Sequence, residues 1–200
     1  MYRFFLLALL VCPPLWGVQC SVPDADESLG TFSENNGDAD ASAFDELDED
    51  TGCSGADDNA TTSWRSANNP NPDVMRISIT SLTDPVGNSS HNLRLSYAKS
   101  ASGGRTIDLT WGIRQGGTTI SGCTDDTNTN ISDTWVDDTL TISSGCADNI
   151  TDYSDLSINV SCQFSGGGAG RRCLVSAMTI DVPDAPTPTG RTRFMFVGDD

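Results

Sequence analysis

Leu156-Ser157-Ile158-Asn159-Val160-Ser161-Cys162-Gln163-Phe164-Ser165 runs without a break into Gly166-Gly167-Gly168-Ala169-Gly170 and then Arg171-Arg172-Cys173-Leu174-Val175-Ser176-Ala177. In the first run apolar and polar residues alternate, the period-2 pattern of a strand with one buried face. The glycines that follow mark a turn, because glycine takes either sign of φ at little cost. Folding the chain about the middle of that turn sets Cys162 opposite Cys173, Val160 opposite Val175 and Ile158 opposite Ala177. Opposed residues of an antiparallel pair lie within disulfide reach, so this register predicts a Cys162–Cys173 bridge and an antiparallel β architecture. It also points to an oxidising compartment.

The same alternation continues upstream. Met75, Ile77 and Ile79 mark one strand, Leu93, Leu95 and Tyr97 a second, Ile107, Leu109, Trp111 and Ile113 a third, and Leu140 with Ile142 another. Turns fall at Asp84-Pro85-Val86-Gly87-Asn88, at Ser100 to Gly104 and at Gln115-Gly116-Gly117-Thr118, the last closing a hairpin onto Thr119 to Cys123. Val175 and Ala177 face one way while Ile180 and Val182 need the other, which predicts a β-bulge near Met178. Seven strands are expected between Asp73 and Val182, with one short helical turn around Ala147 to Tyr153. The fold class is all-β, an antiparallel jelly-roll-like sandwich spanning residues 61–182.

Cysteine arithmetic adds a second bridge. With Cys162 and Cys173 paired by register, Cys123 and Cys146 remain for one another, and each bridge contributes roughly 3 kcal/mol in the loop-entropy model. Cys53 is left over; its partners are Cys20, if that residue survives processing, or another chain.

The two ends read differently from the middle. Arg3, the apolar run Phe4 to Val11 and Pro13-Pro14 make a secretory signal, residues 1–19, cut after Gln19 or after Cys20. Cys20 invites lipidation, but the residue before a lipidated cysteine is small and here it is Gln19. No later stretch is apolar enough to form a transmembrane segment, so the localisation expected is extracellular or at the cell surface. Residues 20–60 form an acidic leader with thirteen acidic residues between Ser21 and Ala60 and no Lys or Arg, expected to be disordered. Asp38, Asp40, Ser42, Glu46 and Glu49 fall at calcium-loop positions, but Ala43 stands where the loop needs glycine, so no metal site is assigned. The net charge of -17 repels a phosphate backbone and argues against nucleic acid. Residues 183–200 form a Pro-rich tether ending in Phe194-Met195-Phe196-Val197, an apolar strand that must pair with a sheet edge of its own chain or of another copy.

Several blocks carry a family likeness. Ser100-Ala101-Ser102-Gly103-Gly104-Arg105-Thr106-Ile107, Arg114-Gln115-Gly116-Gly117-Thr118, Ile131-Ser132-Asp133-Thr134-Trp135, Ile150 to Leu156 and Gly168-Ala169-Gly170-Arg171-Arg172 resemble a jelly-roll-like β-sandwich domain of environmental bacterial and phage-associated surface and virion proteins. The likeness covers roughly Ala60 to Pro186 and implies an extracellular structural or adhesive module with no catalytic motif. In that pattern positions 123, 146, 162 and 173 are not usually cysteine and the position of Ala177 often carries Trp, so this chain resembles a disulfide-adapted version.

Catalysis lacks its parts. The one histidine, His91, lies beside a turn with no nucleophile motif and reads as a solvated loop residue. No catalytic residue and no cofactor is assigned. Sequons occur at Asn59, Asn88, Asn130, Asn149 and Asn159 and are candidate glycosylation sites. The expected function is a secreted, non-enzymatic structural or adhesive subunit of an extracellular layer or fibre, with other copies of itself as partners. The alternative is a jelly-roll carbohydrate-binding module with Trp135 and Tyr153 as glycan-stacking residues, since Trp111 alternates with core positions.

Overall fold

A computed structural model describes residues 17–35, 42–47, 63–85 and 87–185. Among the described residues, twelve strands make a β-sandwich of two antiparallel six-stranded sheets. Four short ones come first: β1 (Val18–Ser21), β2 (Ala25–Ser28), β3 (Ser33–Glu34) and β4 (Trp64–Arg65), with helix α1 (Ala43–Leu47) between β3 and β4. Then come β5 (Asp73–Ile79), β6 (His91–Lys99), β7 (Thr106–Gln115), β8 (Thr118–Thr119), β9 (Asp126–Asn128) and β10 (Val136–Ile142). Helix α2 (Ser144–Ala147) and a 3-10 turn (Tyr153–Asp155) lead to β11 (Leu156–Ser165) and β12 (Cys173–Pro183). One sheet runs β10-β6-β12-β4-β3 with β1 also on β12; the other runs β2-β5-β11-β7-β8 with β9 also on β7. Leu93, Leu95 and Tyr97 of β6 and Val175, Met178 and Ile180 of β12 face Met75, Ile77, Trp111, Ile158 and Val160 across a continuous core. Each such buried side chain stabilises the fold by about 1.5–3 kcal/mol.

The hairpin register read from the sequence is corrected. β11 and β12 do not pair: β11 lies between β5 and β7, and β12 pairs with β6 in the facing sheet. β7 offers β11 ten paired positions, from Leu156↔Gln115 to Ser165↔Thr106. The glycine turn with Arg171 and Arg172 is long enough to carry the chain to the other layer. Cys162 and Cys173 both point into the core, and their bridge spans the two sheets with Cα atoms 6.2 Å apart. The bonded pair is therefore the one expected, reached by facing across the core rather than by opposition within a sheet. Cys123 and Cys146 are bridged as well, at 4.6 Å between Cα atoms.

The turns at this end lock into one another. Arg171 donates to the carbonyls of Ala101, Ser102 and Gly103 at 3.1, 2.7 and 3.0 Å. Gly104, at φ +69°, sits so close to the Ala169 carbonyl and the Arg171 guanidinium that a Cβ would lie 2.6 Å and 2.7 Å from them. Glycine is required there on both counts. At the opposite end the Gln115 side chain donates to Thr151 Oγ1 at 2.8 Å and accepts from the Thr151 and Asp152 amides at 2.9 and 3.3 Å.

Smaller differences have local causes. The bulge falls between Val175 and Ala177, just before Met178. The hairpin arm expected over Thr119 to Cys123 shrinks to β8, and β9 is extra. Asp126-Thr127-Asn128 has little strand propensity and is held by backbone pairing to Leu109 through Trp111. The single helical turn becomes α2, capped by the Ser143 hydroxyl on the Cys146 amide, and the separate 3-10 turn.

The disordered leader is corrected where the structure describes it. β1 pairs with β12, β2 with β5 and β3 with β4, while Phe32, Ala43 and Leu47 are buried in the core. β12 carries β4 at Leu174–Val175 and β1 at Ile180–Pro183, and among the described residues no strand pairs the stretch between them on that side; α1 contacts β12, β2 and β5. Acidic side chains serve as acceptors: Asp26 takes the Ala43 and Phe44 amides at 3.1 and 3.0 Å, and Asp73 takes the Thr31 and Ala67 amides at 2.9 and 2.7 Å. Average composition hides this, since a few well-spaced apolar groups suffice once backbone pairing supplies the rest. The sheets therefore take in strands upstream of residue 61, and the expected cut after Gln19 or Cys20 falls inside β1. Phe194, Met195, Phe196 and Val197 lie outside the described residues, as do Asn59 and Cys53.

Two expected outcomes follow for stability. Replacing Cys162 and Cys173 together by alanine lowers the unfolding free energy by about 3 kcal/mol through the freed denatured chain; an unchanged guanidinium midpoint would contradict this. Leu47→Ala costs about 2–5 kcal/mol by opening a cavity at a fully buried site. A leader without fixed structure would give no loss in the same titration.

Candidate functional site

The end of the sandwich where β5 leaves and β6 begins is shaped by three held segments. The chain after Ile79 is pinned by Gln19, whose amide donates to the Thr83 carbonyl at 2.8 Å while its oxygen accepts from the Thr83 amide at 2.9 Å. The segment after β10 is fixed by α2 and by the bridge from Cys146 to Cys123. The 3-10 turn is opened by Asp152, which accepts from the Ser154 hydroxyl at 2.6 Å and from the Ser154 amide at 2.9 Å. These hydrogen bonds hold the Asp152 carboxyl below its usual range.

Between the segments lies a cavity of about 170 Å³ lined by Asp84, Pro85, Gly87, Asn88, Ala147, Asp148, Ile150 and Tyr153. Asn88 Nδ2 donates to Asp148 Oδ1 at 2.8 Å across the rim, fixing the direction of both side chains. The Tyr153 hydroxyl is pushed up to about 12, first by burial and then by the charges of Asp84 and Asp148. The arrangement offers planar carboxylate and amide acceptors, and its two carboxylates disfavour an anionic ligand.

Beneath the floor sits a pair the sequence did not reveal. His91 is corrected from a solvated loop residue to the first residue of β6, fully buried. Its Nδ1–H donates to the Ser89 carbonyl at 3.2 Å, because a carbonyl can only accept; Nε2 therefore accepts from the Tyr153 hydroxyl at 2.7 Å. The two rings stand 5.8 Å apart at 45°. Burial lowers the His91 pKa, opposed by the Ser89 carbonyl and the charge of Asp181. Nothing in the local pattern signals this contact, since the partners are 62 residues apart.

Tyr153 is accordingly corrected as a glycan-stacking residue: its ring is buried, because a loop position does not by itself expose a side chain whose hydroxyl has an interior partner. Trp135 is half-buried, just before Val136, which pairs with Tyr97 six residues along β6 from His91. The two aromatics thus stand at opposite ends of the strand, about 20 Å apart. Asn88, Asn130 and Asn149 are exposed; Asn149 Nδ2 donates to the Gly145 carbonyl at 2.7 Å, and Asn130 has φ +50°. Asn159 is half-buried on the outward side of β11, paired with Arg76 and Gly112. No cluster of three metal-ligating side chains occurs among the described residues, and Ala43 opens α1 instead of turning a calcium loop. Among the described residues no helix is long and apolar enough to cross a membrane.

No protein-family model and no curated protein sequence matches this chain. Solved structures similar to it include a carbohydrate-binding module, TmCBM61, in complex with β-1,4-galactotriose: TM-score 0.40, 7% identity, covering 86% of this chain and 90% of that one. A family 16 carbohydrate-binding module is similar with TM-score 0.37 and 10% identity over 60% of this chain and 77% of that one. An arabinose-bound α-L-arabinofuranosidase is similar with TM-score 0.47 and 12% identity, over 84% of this chain but 27% of that one. Likeness this distant brings no ligand or activity to the chain.

The buried histidine makes stability depend on pH. A depressed folded-state pKa means the unfolded chain binds the proton first, so the contribution of neutral His91 is complete above the unfolded value of 6.5 and is lost as pH falls below it toward the lowered folded value. Urea titrations between about pH 7.5 and 5.5 should show declining stability in the wild type and a flatter profile in His91→Gln. Equal slopes would remove His91 from the account.

Proposed function

We propose that this chain is a secreted, non-enzymatic adhesive module that binds neutral carbohydrate in the cavity lined by Asp84, Asn88, Asp148 and Tyr153. The observation that carries the reading is the set of fixed, planar hydrogen-bonding groups around one cavity of about 170 Å³, the size of a small polar ligand and not of an extended polymer. Carboxylates and amides in fixed directions suit the hydroxyls of a sugar ring, and a negatively charged rim disfavours phosphate, sulfate and uronic acid. Two disulfides in the described sandwich are compatible with an extracellular setting. That setting also agrees with the surface-protein family the sequence resembles. Neither His91 nor Tyr153 acts on a ligand in this reading: their nitrogen and hydroxyl are spent on each other.

The rim also carries a sequon. An N-glycan on Asn88 would take the amide away from Asp148 and fill the approach, so binding requires Asn88 unmodified. Assembly into a fibre or layer through Phe194 to Val197 is the competing proposal and concerns residues outside the described set.

Isothermal titration of the secreted protein with neutral hexose and pentose oligosaccharides is the direct test. Binding should be detected, and Asp84→Ala and Asp148→Ala should each weaken it roughly tenfold or more, about 1.4 kcal/mol, with the thermal midpoint little changed. Absence of binding across neutral sugars, with Asn88 confirmed bare by mass spectrometry, would sink the carbohydrate reading and favour assembly.

A further inference from the structure

The two carboxylates of the cavity are held in different ways. Asp148 follows α2, whose turn closes on itself through the Ser143 cap and the backbone bonds of residues 143–150. Asp84 belongs to the chain that leaves β5 at Ile79, and among the described residues no backbone–backbone hydrogen bond holds residues 80–85. Backbone groups outside helix and sheet need partners of another kind. Among the described residues every hydrogen bond to this stretch of backbone comes from a side chain of one segment, residues 19–24.

Asp24 accepts the Thr80 amide at 2.6 Å and the Thr80 hydroxyl as well. Ser21, only 2% exposed, shares a hydrogen bond with the Ser81 hydroxyl, and Leu82 is buried in the core. Gln19 then takes both backbone groups of Thr83, accepting from the amide at 2.9 Å and donating to the carbonyl at 2.8 Å. Its second amide proton goes to the Pro183 carbonyl at 2.9 Å. Gln19 and Ser21 are two apart on β1 and so share a face, which is why both reach the same loop. The Gln19 side chain serves Thr83 as a neighbouring strand would, with one donor and one acceptor for one residue, and its own backbone is paired with Val182 of β12. Asp84 has little freedom left: Thr83 is fixed before it, and the buried Pro85 after it restricts Asp84 to extended backbone.

We propose that β1 is a positioning strand for the cavity: Gln19, supported by Ser21 and Asp24, sets where the Asp84 carboxylate stands relative to Asp148. Gln19 is a positioning residue and touches no ligand itself. Its effect on sugar rests on the carbohydrate reading above, whereas the clamp on Thr83 does not. A cut after Gln19 or Cys20 would leave Thr83 without its side-chain partner, so the mature chain that carries the cavity keeps Gln19.

Hydrogen exchange at the Thr83 amide of the full mature protein reads the clamp without a ligand. Exchange should be at least roughly tenfold faster in Gln19→Ala than in the wild type, with the β11 amides protected in both. Gln19→Glu should act in the same direction, since it keeps the size but sets a carboxylate against the carbonyls of Thr83 and Pro183. Titration with neutral hexose and pentose oligosaccharides then reads the site. Gln19→Ala should weaken binding roughly tenfold, do so again beside Asp148→Ala, and add nothing beside Asp84→Ala. A general loss of stability would instead lower binding in both backgrounds. The proposal is overturned by equal Thr83 exchange in the wild type and both variants, by a Gln19→Ala loss of the same size beside Asp84→Ala, or by a secreted chain that begins at Cys20 or Ser21. If no neutral sugar binds while Thr83 exchange responds as expected, the carbohydrate reading falls and the clamp stands.

Discussion

The covalent link between Cys162 and Cys173 joins the central strands of two facing sheets at the point where the chain passes from one to the other. It fixes the spacing of the layers, because both sulfurs sit in the core between them. From there β11 recruits β5 and β7, and β12 recruits β6, β1 and β4, so each long strand finds its neighbours by extension from the tied pair. The glycine turn is free to cross only because Arg171 holds it against the Ser100 to Gly104 turn by carbonyl contacts. A side chain at Gly104 would push the two turns apart.

At the other end polar groups fix the loops over the buried Leu82, Ile150 and Tyr153. Gln19, Gln115 and the Asn88–Asp148 pair each fix a loop by accepting or donating to a partner distant in sequence, and Asp152 caps its own turn. The cavity is the space these fixed loops leave between them. Beneath it His91 and Tyr153 hold one another through a buried hydrogen bond.

Much of the sandwich was legible because one-face burial writes period-2 alternation into β5, β6, β7 and β11. What the alternation does not carry is which strand pairs with which. Val160 looks as suited to Val175 as to Trp111, and only the length of the β7 ladder decides. β1 to β3 and β9 were invisible for a different reason: they hold by backbone pairing and by acidic side chains used as acceptors, and composition averages such positions away. The site was half legible. Tyr153 stands at the cavity but as its buried floor, while Asp84 and Asp148 had no local signature because loops from two parts of the chain bring them together.

The pairing of Val18 with Pro183 brings the first and last described strands out of the sandwich side by side. A pull on these two ends acts as a peel, breaking one pair at a time, and not as a shear along the whole ladder. Gln19 is the second pair to open, and with it goes the clamp on Thr83, next to Asp84. Tension on the tether therefore reaches the cavity loop before the core. Load applied through these ends would slacken the loop beside Asp84 while the core sheets stay paired.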